Sequence, residues 1–192
     1  MAGARGDQLH VPAMPGGHNP GAANVIVTGP ESSGTRFVSR WLEAHPDVAA
    51  RHWSMPAGES WARHWPTDHD FDGEPPLAVV MVLRNFEATI ASQVNRRMVS
   101  CREEAEANIT QAYLRILTWT LSHGFQLYPL IYDTIVEHPE TMADLFRWLG
   151  VDPVDCPEDP VDANAKWREQ GVPDPDEPTD LDVIEAAAEV YE

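Results

Sequence analysis

The chain is almost without lysine. Lys166 is its single one, and arginine brings the basic side chains to 13 against 31 acidic ones in 192 residues. The resulting formal net charge of −18 repels a nucleic-acid backbone over most of the surface, which excludes nucleic acid as a general partner. An anionic ligand must be met in a local pocket, by arginine and by backbone N–H groups. Cysteine is scarce as well. Cys101 and Cys156 stand far apart, without metal-ligand spacing, and read as free thiols of a reducing compartment. No apolar run is long enough to span a membrane. The start of the chain lacks the charged and apolar segments of an export signal, so a cytoplasmic protein is expected.

What is present fits one globular domain: 43% of the residues are hydrophobic, enough for a single core. Residues Met1–Ala23 are rich in Gly, Ala and Pro and read as a flexible leader. Three short apolar runs have the character of buried strands: Val25-Ile26-Val27 within Asn24–Thr28, Leu77–Leu83, and Leu127–Tyr132. A further short strand is expected near Ala49–Trp53. Helices are expected from Thr35 to His45-Pro46, near Gly58–His64, from Glu87 to about Met98, and over Glu103–Gly124. In the last of these Ala107, Tyr113, Leu114, Leu117 and Leu121 form the expected inner face. His138-Pro139-Glu140 opens another helix, which Gly150 stops. Residues 171–192 form an acidic tail with a weak terminal helix after the 24–170 domain. Strands alternating with helices imply an α/β fold, with a central parallel sheet flanked by helices in three layers.

The span Gly29-Pro30-Glu31-Ser32-Ser33-Gly34-Thr35-Arg36 links a buried strand to a helix start. Such a loop offers unpaired N–H groups at the positive end of the helix dipole and makes an anion site. Its two glycines have P-loop spacing. A nucleotide triphosphatase needs Lys and then Ser or Thr after the second glycine, whereas Thr35 and Arg36 stand here. The loop also reads as a tight turn that binds nothing.

Pro30 to Phe37 resembles the phosphosulfate loop of sulfotransferases that use PAPS, 3′-phosphoadenosine 5′-phosphosulfate. Val82-Leu83-Arg84 to Ser92 is similar to that family's second signature, an arginine ending a strand and a serine eight positions on. Tyr132-Asp133 with Glu137-His138-Pro139-Glu140 resembles its third segment. The three occur in the family's order between Val25 and Gly150. The resemblance implies a P-loop-like fold. It also implies sulfuryl transfer from PAPS to a hydroxyl or amine of a small-molecule or glycan acceptor, without a metal. It implies a cofactor site at Ser32, Ser33, Gly34, Thr35, Arg36 and Phe37, with Arg84 and Ser92 on the 3′-phosphate and Tyr132 and Phe37 on the adenine. Arg84 also reads as half of a salt bridge with Glu87 or another acid, and Phe37 and Tyr132 as core residues.

The sequence departs from that pattern in its loop. Glu31 and Ser32 fill the place of the family's basic residue, and Arg36 or Arg40 is the expected replacement. The late basic glycine loop is missing, with Lys166-Trp167-Arg168 as a candidate substitute. His52 and Arg36 are the expected catalytic residues, His52 as general base in preference to Glu59, His64, Asp68 or His69, because it would stand at the end of the short second strand, on the sheet edge where open α/β folds bind ligands. Trp53, Trp61 and Trp65 are candidates for an acceptor pocket. A metal held by His52, His64 and His69 has no supporting motif. Two other functions stay open: a P-loop nucleotide kinase or hydrolase, and a non-catalytic nucleotide-binding relative.

Overall fold

The structure is a computed structural model, and it describes residues 23–55 and 78–157. The expected helix at Gly58–His64 and the terminal helix lie outside these residues. So do the leader to residue 22, Glu59, Trp61, His64, Trp65, Asp68, His69 and Lys166-Trp167-Arg168.

Four strands form one parallel sheet: β1 (Ala23–Pro30), β2 (Val48–Met55), β3 (Ala78–Leu83) and β4 (Gln126–Ile131), in the order β2-β1-β3-β4. The side-chain period of two explains the continuous apolar runs. Val25 and Val27, with Ala78, Val80 and Val82, face a core shared with α1 (Thr35–Glu43), α4 (Tyr132–Glu137) and α5 (Met142–Leu149). Ile26, with Val79, Met81 and Leu83, faces a second core shared with α2 (Phe86–Asn95) and α3 (Arg102–Ser122). The three-layer α/β arrangement read from the sequence is the one observed.

After β1 the chain crosses to β2 on one side, and β3 then joins β1 on the other. The loop following β1 therefore lies at the point where strand order reverses, where open parallel sheets bind ligands.

Several expected boundaries need correction. The helix after β3 stops at Asn95, short of Met98. Arg97 turns left-handed at φ 56, and the Met98 N–H closes on the Gln93 carbonyl at 3.0 Å, which ends the helical ladder. Tyr132 is not the last strand residue but the first of α4, a six-residue helix too short to show periodicity. Beyond it, Pro139–Thr141 is a 3-10 turn, and α5 begins at Met142. Gly150, at φ 80, stops α5 as expected.

The inner face of α3 is also rotated from expectation. Ala105, Ile109, Ala112, Tyr113, Ile116 and Trp119 are buried, while Ala107 is exposed and Leu121 is 61% exposed. Of the expected face, Tyr113 is buried and Leu117 packs half-buried against the same core, while Leu121 turns outward, so the buried stripe is shifted round the helix by its packing against the sheet.

Candidate functional site

The site starts from β1, whose last residues run directly into the glycine loop. Ser32 is in the left-handed region at φ 74, and Gly34 is there at φ 93. Gly34 is the N-cap of α1 and supplies no side-chain cap. The Ser33 N–H closes the turn on the Pro30 carbonyl at 3.1 Å, and Phe37 N–H and Val38 N–H reach back to the Gly34 carbonyl. Among the described residues, the N–H groups of Ser32, Gly34, Thr35 and Arg36 have no hydrogen-bond acceptor. Unpaired N–H groups at a helix start and left-handed turns next to them are the ingredients of an anion site.

Two hydroxyls reinforce it. Ser33 is fully buried, and the Oγ atoms of both Ser32 and Ser33 are buried without a partner among the described residues. A buried hydroxyl without a partner carries a desolvation penalty. A ligand oxygen would remove that penalty, so the loop fits an anionic group.

Tyr132 fixes the loop from below. A Cβ built on Gly34 would overlap the Tyr132 ring, so glycine is required there for space as well as for φ. The same ring meets Phe37 edge-on at 6.0 Å and lies 5.4 Å from the Arg84 guanidinium carbon. Tyr132 is buried and Phe37 half-buried. The structure thus brings Gly34, Phe37, Arg84 and Tyr132 into one contact group.

Arg84, at the end of β3, is only 5% exposed, and its Nη1 donates to the Ser32 carbonyl at 2.5 Å. The alternative partner Glu87 is engaged elsewhere: both of its carboxylate oxygens accept from Arg102, at 2.6 Å for Oε2. That bond holds the Glu87 carboxyl below its ordinary range. Ser92 is buried on α2, and its Oγ has no partner among the described residues. Asn85 caps α2 by accepting the Ala88 N–H at 3.0 Å, and its own N–H donates to Asp133 at 2.7 Å. Arg36 is exposed on the first turn of α1.

His52 sits within β2, paired with Val27 of β1, rather than at the strand's end as expected. Its Nε2 lies 2.8 Å from the Thr35 hydroxyl. Burial lowers the imidazole pKa from its ordinary 6.5, and the nearby Arg36 charge lowers it further against opposing pulls from Glu31 and Glu43. Near neutral pH the ring is therefore uncharged, with one nitrogen able to accept a proton. Trp53 follows in β2.

Sequence reasoning missed Gln93. This residue of α2 is 1% exposed and donates from Nε2 to the Glu31 carbonyl at 3.0 Å. A buried glutamine beside Ser92 was the available signal, but nothing in the sequence pairs it with a loop 62 residues away.

No family model matches the chain. A 60-residue stretch is 40% identical to the anti-sigma-W factor RsiW of Bacillus licheniformis; it is 30% of this chain and spans 29% of that protein's length. Among solved structures, the sulfotransferase domain of the Synechococcus PCC 7002 olefin synthase shares 17% identity at a TM-score of 0.39, over 77% of this chain and 60% of that one. The chain is also similar to the sulfotransferase of Alicyclobacillus acidocaldarius, with 14% identity at a TM-score of 0.49 over 79% of this chain and 90% of that one.

Proposed function

We propose that the chain is a PAPS-dependent sulfotransferase whose donor site is the loop between β1 and α1. One observation carries this reading. Loop N–H groups and two buried serine hydroxyls, unpartnered among the described residues, meet at the sheet's switch point with His52 beside them through Thr35. In this reading the N–H groups of Ser32, Gly34, Thr35 and Arg36 and the hydroxyls of Ser32 and Ser33 hold the phosphosulfate. Arg36 adds positive charge at the helix start. Arg84 and Ser92 serve the 3′-phosphate, with Phe37 and Tyr132 toward the adenine.

When bound, PAPS supplies the sulfuryl group, whose bond to the departing phosphate breaks as the bond to the acceptor forms. Catalysis by the chain is then positioning and charge stabilisation. His52 acts as base through Thr35: Oγ gains the acceptor's proton as it gives its own to Nε2. Arg36 and the loop N–H groups stabilise the charge left on the phosphate side. The acceptor is a small molecule or glycan bearing a hydroxyl or amine.

A second reading has its own observation. Glu31 stands where a basic residue would face the sulfuryl group, and the Arg84 guanidinium already holds a loop carbonyl. Both features suit a relative that binds nucleotide without transferring sulfate. Turnover of PAPS against a panel of hydroxyl and amine acceptors separates the two. Sulfated product that disappears in the His52→Gln variant is the result of the enzyme reading. Binding of adenosine 3′,5′-diphosphate with no product on any acceptor is the result of the other.

A further inference from the structure

The two dihedrals of Ser32 are the rotations between two peptide planes, the one joining Glu31 to Ser32 and the one joining Ser32 to Ser33. Each plane is gripped by a different buried side chain. Gln93 donates to the Glu31 carbonyl at 3.0 Å, and Arg84 donates to the Ser32 carbonyl at 2.5 Å. The second plane is held again by its N–H, from Ser33 to the Pro30 carbonyl. Between them Ser32 keeps φ at 74, a conformation that costs a side-chain-bearing residue about 1 kcal/mol or more and persists only where its surroundings enforce it.

We infer that Gln93 is a positioning residue, which with Arg84 holds Ser32 in its left-handed conformation and so sets the anion affinity of the loop. In a trans peptide the carbonyl and the following N–H point in opposite directions. Gripping the Glu31 carbonyl from α2 therefore turns the Ser32 N–H away from α2. That N–H is one of those without an acceptor among the described residues.

The cost of keeping Gln93 supports a functional reason. Its Oε1 is buried without a partner among the described residues, while its Nε2 is used. A carbonyl acceptor at Glu31 fixes which end of the amide faces the loop. An apolar side chain of similar size would remove the unmatched oxygen and its penalty. A local cost of this kind is expected where function, not stability, selects the residue.

This inference rests on the loop being an anion site, not on the identity of the nucleotide, so inorganic sulfate is the probe. Sulfate is titrated against four proteins: wild type, Gln93→Met, Ser32→Gly and the double variant, following the loop amide resonances. Glycine takes the left-handed conformation without being held. Gln93→Met should weaken sulfate binding about tenfold in the Ser32 protein, the effect of one buried hydrogen bond. In the Ser32→Gly protein the same change should have little effect. Equal losses in both backgrounds, or no loss in either, overturn the inference. Exchange of the residue-32 amide with solvent reads the same coupling without ligand. Should Gln93→Met not fold, Gln93→Asn keeps an amide and withdraws it from the Glu31 carbonyl. A protein that binds sulfate but not adenosine 3′,5′-diphosphate loses the nucleotide reading and keeps this one.

Discussion

The Thr35 hydroxyl and His52 Nε2 are 2.8 Å apart, joining the first turn of α1 to the edge strand β2. The bond crosses from the glycine loop to the histidine that the sequence reading favours as a base. Removing the hydroxyl while keeping the shape isolates it. Thr35→Val should slow sulfuryl transfer by about 10²-fold, the scale of a lost proton-transfer partner. Thr35→Ser should retain most of the rate. Steady-state turnover of PAPS checks both, and a Thr35→Val enzyme at full rate would remove His52 from the chemistry.

The lowered pKa of His52 has a consequence for stability. The folded protein binds the proton less well than the unfolded chain, so His52 contributes its stability above its ordinary pKa of 6.5. That contribution is lost as pH falls from there through the lowered folded value. Thermal melts across that window should show the wild type losing more stability on acidification than His52→Gln. Parallel curves for the two proteins would show that the ring is not shielded.

Ser33 and Ser92 should separate binding from stability. Their hydroxyls are buried without partners among the described residues, so Ser33→Ala and Ser92→Ala remove unmatched oxygens and should leave the melting temperature unchanged or raise it. Each should nevertheless weaken the affinity for adenosine 3′,5′-diphosphate, by about tenfold. Calorimetry and thermal melts on the same samples decide it. Loss of stability with unchanged affinity would mean that the hydroxyls serve the core.

Gly34 carries two requirements, a positive φ and the Tyr132 ring against its Cα. Gly34→Ala should therefore destabilise the domain by about 3 kcal/mol or more. Pairing it with Tyr132→Ala removes the overlap but not the backbone strain, so the double variant should recover part of the loss attributed to Gly34→Ala. Chemical denaturation of the four proteins measures the coupling, and strict additivity would contradict the contact.

How much of this was legible in the sequence follows from the range of the interactions. Val25–Val27 and Leu77–Leu83 are continuous apolar runs; Val25–Val27 and, within the second run, Ala78–Leu83 proved to be strand residues buried on two faces. The glycine loop was legible because its signal is local: a strand, two glycines and a helix start. The face of α3 was legible only in part: Tyr113 is buried as expected, but Leu121 competes with Ile109, Ala112 and Ile116 for the inner stripe, and only the neighbouring sheet decides between them. Helix α4 was too short to announce itself. His52 was chosen for its expected place at a strand end. The structure puts it within the strand, and beside the loop through Thr35, a pairing 17 residues long. The grip of Gln93 and Arg84 on consecutive loop carbonyls depends on the register of α2 and β3 against β1, which no local pattern encodes.

In the proposed function the loop after β1 binds a 3′-phosphorylated adenosine nucleotide. Calorimetric titration with adenosine 3′,5′-diphosphate, beside ATP with magnesium, tests it most directly. Tight binding of the diphosphate, weak binding of ATP, and loss of the diphosphate heat in Arg84→Ala are expected. Preference for ATP, or no heat from either ligand, would contradict it.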